Sequence, residues 1–134
     1  MSAYHQLTGI IVDPKNSTLL VLPDKNNRLI LPRINLNNGL NATAELKSEL
    51  SKEYLLELKY IRSLPNSWES LISLHAKMVN KLNIYHIFYL QKALTRNTAY
   101  ELLNIKTLDL ERFSKDRPAL EFFQEIYAII DELS

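Results

Sequence analysis

The sequence predicts an α+β domain: a mixed β-sheet with one acidic helix and one C-terminal helix on its faces. Three observations predict it. Apolar, β-branched and aromatic runs at Leu7 to Val12, Thr18 to Leu22 and Asn83 to Gln91 are separated by turn residues. From Leu31 to Leu56 an Asn-rich polar stretch leads into a segment of helical periodicity. Near the end, Leu120, Phe123, Tyr127, Ile130 and Leu133 recur at helical spacing. A length of 134 residues suits one domain, residues 1–134, with a substantial core.

Taken in order, Asp13-Pro14-Lys15-Asn16 supplies a turn between the first two apolar runs and makes them a hairpin. Leu29 to Leu31 is a short strand closed by Pro32, which lacks an N–H for a ladder. Asn35 to Asn41 is a loop containing Gly39, and Asn41 is placed to cap a helix that ends near Tyr54 or Leu55. Leu58 to Ile61 is a strand, and Leu64-Pro65-Asn66-Ser67 interrupts the pattern. Trp68, Leu71, Ile72, His75, Val79 and Leu82 fit a helical stripe, so Ser67 to Lys81 is read as a helix; the rival is a strand through His75 to Val79 with a turn at Asn80-Lys81. Asn83 to Gln91 is the strongest strand and is expected at the centre of the sheet. Glu101 to Leu108 is a weaker strand, Leu110 to Phe113 a helical turn, and Asp116 and Pro118 begin the last helix.

Composition narrows the function. A net charge of +1 gives no bulk attraction for nucleic acid or membrane. Without cysteine there are no disulfides or thiolate metal sites, and with only Gly9 and Gly39 there is no Gly-rich phosphate loop. The N-terminal apolar run is too short for a secretory or membrane segment and follows no basic leader, so a soluble cytoplasmic protein is expected. His5, His75 and His86 lack ligand spacing, and no nucleophilic serine motif is present.

The acidic helix carries the candidate chemistry. Glu45, Glu49 and Glu53 lie four residues apart on one face, while Leu46, Leu50 and Tyr54 form an adjacent apolar face. With the hairpin, Leu31-Pro32, the polar loop, the later strands and the closing helix, this order resembles the Nudix hydrolases. Members of that family use Mg²⁺ to cleave nucleoside diphosphates linked to another group, and their signature is G-x5-E-x7-R-E-U-x-E-E-x-G-U, with U a bulky aliphatic residue. Placing Glu49-Leu50 on the signature's Glu-aliphatic pair needs no gap from Pro32 to Leu56. The resemblance implies a Nudix-like α/β/α sandwich. It also implies catalytic and metal-binding roles for Glu49, Glu53 and Glu101, with Glu45 a further metal donor one turn upstream, and a nucleotide-like ligand.

The signature is degenerate. Arg33 and Ile34 stand where glycines follow the proline, Leu40 replaces the first glutamate, Ser48 the arginine, Lys52 one of the paired glutamates and Leu55 the closing glycine. The remaining carboxylates can still hold Mg²⁺, but Lys52, three residues after Glu49, can offer its ammonium to the same carboxylate and weaken the ion's hold. Arg33 and Lys52 are candidate ligand-binding cations. Each feature also has a plainer reading: a wet helix face for the ladder, an exposed edge arginine for Arg33, buried anchors for Trp68, Tyr85 and Tyr89, and a hydrogen-bonded face or core residue for His86. Three functions follow: a non-catalytic module that binds a nucleotide-like ligand or a protein, a divergent Mg²⁺-dependent pyrophosphohydrolase, or a structural domain that dimerises through Ile84 to Leu90 or the C-terminal helix.

Overall fold

The computed structural model describes residues 4–35, 42–63, 68–74, 77–93, 99–113 and 120–133, with backbone alone for 4–6, 35, 42, 68–74, 77–83 and 120. The expectations for Gly39, Leu40, Asn41, the 64–67 break, His75, Asp116 and Pro118 lie outside the described residues.

Strands β1 (Tyr4–Asp13) and β2 (Thr18–Pro23) pair antiparallel as the expected hairpin, Val12 facing Leu19. The Asp13 carboxylate closes the turn by accepting from the Lys15 N–H at 3.2 Å and the Asn16 side-chain amide at 2.8 Å. The strand expected at Leu29 to Leu31 divides in two. Strand β3 (Leu29–Ile30) pairs with β2, and β4 (Arg33–Asn35) pairs with β1. Between them, the Pro32 carbonyl accepts from the Gly9 N–H at 2.8 Å, so the residue that cannot donate still ties the crossing to β1.

Helix α1 (Ala42–Tyr54) turns directly into β5 (Leu56–Ser63). The segment read as a helix over Ser67 to Lys81 is instead strand β6 (Trp68–Leu74) and the start of the 17-residue β7 (Lys77–Ala93). Trp68 faces Asn83 and Leu74 faces Lys77, and β7 runs straight through Asn80 and Lys81, where the rival reading put a turn. The apolar residues of this stretch fit either period, and pairing with the long β7 decides for the strand.

Strand β8 (Glu101–Asn104) is shorter than expected because the Asn104 side chain accepts from the Lys106 N–H at 2.8 Å and caps a 3₁₀ turn, Ile105–Thr107. A second 3₁₀ turn, Leu110–Arg112, stands where a helical turn is expected. Helix α2 (Leu120–Leu133) closes the described chain.

The sheet runs β3-β2-β1-β7-β5, with β4 on β1, β6 on β7 and β8 on β2. Its β1–β7 pair is parallel, from Tyr4 facing Lys81 to Val12 facing Tyr89, and its other strand pairs are antiparallel. The sheet is therefore mixed, and β7 is central as expected.

Strand alternation sorts the core into two layers. On one face, Leu7, Ile11, Leu20 and Phe88 pack against Leu46, Leu50 and Tyr54 of α1. On the other, Ile10, Val12, Leu19, Val21, Tyr85 and Ile87 pack with Phe123, Ile126, Ile129 and Ile130 of α2. Tyr127, expected in the apolar stripe, is 40% exposed, and Ile126 takes the buried place one residue earlier. The result is the α/β/α sandwich. Among the described residues no helix is long and apolar enough to cross a membrane.

Candidate functional site

Helix α1 presents its two faces as the sequence predicts. Leu46 and Leu50 are fully buried and Tyr54 nearly so, while Glu49 and Glu53 are exposed and Glu45 is half-buried. The apolar face sits close to the sheet at Gly9, where a Cβ would come within 2.5 Å of a Leu50 methyl. Burial, and then the neighbouring charge of Glu53, raise the Tyr54 phenol above its ordinary value. Lys52 is exposed on the same helix, but among the described residues no ion pair joins it to Glu49. An exposed pair gains too little to hold two long side chains in one geometry.

Glu101 stands apart from this helix. It lies opposite Val21 in the β2–β8 ladder, as Leu103 lies opposite Leu19, and directly opposed residues of an antiparallel pair share a face. Val21, Leu19 and Leu103 belong to the α2 layer. The Glu101 carboxylate is therefore on the α2 side of the sheet, where Arg112 donates to it at 3.4 Å. Its neighbour Tyr100 points to the α1 side and meets Tyr54 edge to face, ring centroids 6.1 Å apart. Arg33 is half-buried opposite Thr8, which alternates with Leu7 of the α1 layer and so also faces α2.

A second polar group lies on the α1 side, around His86. Ser63 of β5 faces His86 of β7 across the ladder, and its hydroxyl is 2.8 Å from the imidazole Nδ1. Thr43 in the first turn of α1 brings its hydroxyl to 3.0 Å from the same nitrogen. The Tyr60 hydroxyl is 2.7 Å from the Ser63 oxygen, and the Tyr60 ring rests against both His86 and Phe88. A register shift in β5 between Tyr60 and Arg62 makes this arrangement, because one extra residue lets positions three apart share a face. His86 is 6% exposed, its Nε2 is buried without a partner among the described residues, and burial lowers its pKa below the ordinary 6.5. Sequence separations of 23 and 43 residues hide this cluster from any local motif.

Tyr85 is a core anchor, 1% exposed with its ring 4.2 Å from that of Phe122. From His86 to Tyr89 both edges of β7 are paired, by β1 and by β5, so these residues offer no free strand edge for a dimer.

Three solved structures share this architecture. A UDP-X diphosphatase superposes with a TM-score of 0.69 at 13% identity, covering 98% of this chain and 64% of its own. The Caenorhabditis (C. elegans) Ap4A hydrolase gives 0.61 at 9% identity over 99% of this chain and 100% of its own. A NUDIX-family hydrolase from Clostridium perfringens gives 0.58 at 9% identity, with 100% of each chain covered. This is the Nudix fold. The chain thus spans somewhat less than two thirds of the UDP-X diphosphatase and the full length of the other two. No protein-family model matches the sequence, and no curated protein matches it.

Within the Nudix fold, α1 occupies the place that the sequence register assigned to the signature helix. Leu55, at the register's closing glycine, has φ 55°, a left-handed conformation in which glycine carries no steric cost. Mg²⁺ is commonly held by one or two carboxylates together with waters and substrate phosphates. Glu49 and Glu53 share one helix face, Glu101 is across the sheet, and among the described residues no three His, Asp or Glu side chains gather.

Proposed function

We propose that this chain is a Nudix-fold binding module for a nucleotide-like ligand, with metal-dependent hydrolysis of diphosphates lost. The observation that carries this reading is the separation of Glu101 from α1 by the thickness of the sheet, with Arg112 engaging its carboxylate. The substitutions in the signature point the same way. Ser48 offers no guanidinium to orient Glu49, and Lys52 puts an ammonium where the register expects a carboxylate. Lys52, exposed on α1, remains a candidate cation for an anionic group on the ligand, while Arg33 lies on the α2 side of the sheet.

The test is calorimetry and turnover measured together on a panel of nucleoside diphosphate derivatives with Mg²⁺ or Mn²⁺. Binding without hydrolysis is expected. Robust metal-dependent turnover overturns the reading and favours a divergent pyrophosphohydrolase, whose motive is the exposed pair Glu49 and Glu53 on one helix face and the hydrolase names of the three similar structures. In that event Glu53→Gln should abolish turnover while leaving the fold intact.

A further inference from the structure

The sheet ends at β5, which pairs with β7 along one edge and has no strand partner on the other among the described residues. The N–H and C=O groups along that outer edge are open to a further strand. From Leu56 to Tyr60, β5 is regular. The first register shift of the β5–β7 ladder places its extra residue, Gln91, in β7, and the second places Ile61 in β5, just past this window. Leu56 and Leu58 are buried in the α1 layer, while Glu57 and Lys59 are exposed, so strand alternation puts both charges on the α2 face.

Charges on an edge strand ordinarily repel an indiscriminate partner. Here they are arranged as their own complement. Antiparallel pairing of two copies of β5 about Leu58 sets Glu57 of each opposite Lys59 of the other, Leu56 opposite Tyr60, and Leu58 opposite Leu58. Moving the two-fold axis one residue either way opposes Glu57 to Glu57 or Lys59 to Lys59, so like charges disfavour both neighbouring registers. Within one chain neither charge is engaged. Glu57 faces Lys92 and Lys59 faces Tyr89 across the β7 ladder, yet among the described residues no ion pair holds Glu57 or Lys59. Leu55 at 43% and Tyr60 at 40% exposure stand at the two ends of the window, and antiparallel pairing brings the Leu55 end of one copy against the Tyr60 end of the other.

We infer that the outer edge of β5 is a self-association surface whose partner is a second copy of this chain, the two β5 strands pairing antiparallel about Leu58 so that one sheet continues into the other across a two-fold axis. Backbone hydrogen bonds supply the attraction, and the Glu57–Lys59 pairs select the register and the partner. The five paired residues span about 17 Å, a short edge, so the dimer is weak and its population follows concentration. This goes beyond the proposed ligand-binding function and does not depend on it.

Sedimentation velocity of the full chain, from micromolar to millimolar concentration, should show a monomer–dimer equilibrium. Lys59→Glu leaves Glu57 facing a glutamate, and Glu57→Lys leaves Lys59 facing a lysine. Each should weaken association by about tenfold or more, because two attractive pairs become two repulsive ones. An equimolar mixture of the two variants should recover it, since each then faces its complement. So should the double reversal Glu57→Lys with Lys59→Glu in one chain, which keeps the parent's net charge. Both positions are exposed, and circular dichroism establishes that each variant is folded; a single variant that fails to fold leaves the other and the double reversal to decide. A monomer at every concentration, or a dimer indifferent to the single reversals, overturns the surface. Loss in the single reversals without recovery in the mixture and the double reversal overturns the register, and the proposal with it.

Discussion

At Leu55 the backbone is left-handed where the sequence register with the Nudix signature places a glycine. A leucine with φ 55° sits in a conformation that costs an L-residue about 1–2 kcal/mol. At 43% exposure its side chain recovers little by burial. Leu55→Gly should therefore stabilise the fold by about 1 kcal/mol, the relief of left-handed strain being partly offset by glycine's extra freedom in the unfolded chain. Urea denaturation measures this, and a lowered midpoint contradicts it. His86 supplies a pH dependence of definite sign. Burial lowers its pKa in the folded state below the ordinary 6.5, so the unfolded chain binds the proton more readily. Its contribution to stability is present above about pH 6.5 and is lost as the pH falls from there toward the depressed folded value. Urea midpoints at about pH 8 and about pH 5 should differ by less in His86→Asn than in the parent chain, once carboxylate titration common to both is subtracted.

The helix and the strands together decide what a change to the signature positions can do. Ser48 and Lys52 are evident departures from the signature in the sequence register, and the double substitution Ser48→Arg with Lys52→Glu brings both positions to it. It leaves Glu101 on the α2 side of the sheet with Arg112. The repaired helix should bind Mg²⁺ more tightly than the parent, since a carboxylate replaces an ammonium beside Glu49 and Glu53. It should gain no diphosphate hydrolysis, as measured by phosphate release. Turnover in the repaired chain contradicts the importance assigned to Glu101. Strand β5 shows the same dependence of chemistry on an element's geometry. Its register shift between Tyr60 and Arg62 puts Tyr60 and Ser63 on the α1 face while Arg62 reaches Glu132 of α2.

For the molecule as a whole, the alternating and helical patterns suffice to specify a sandwich. Leu46, Leu50 and Tyr54 could be assigned to a core from spacing alone, because a helix of this period has only one face to bury. The interior place of β7 was legible for a similar reason: its stretch Ile84 to Leu90 is apolar or aromatic at every position but His86 and must be covered on both faces. Other features were not legible. The stretch from Trp68 to Lys81 satisfies helical and strand periods alike, and only a partner strand distinguishes them. The gapless register told where Glu49 and Glu53 fall along the chain, and the order of elements placed Glu101 at the start of a later strand. It could not tell that Glu101 faces away from α1, because side-chain direction in β8 is set by its ladder with β2. Nor could it bring Thr43, Ser63 and His86 together, a contact made by helix docking and strand pairing between distant positions. By itself the sequence determined which faces are apolar, and therefore the layers. The tertiary structure decided which polar groups meet, since hydrogen bonds between distant residues depend on register and docking, to which hydrophobic periodicity is blind.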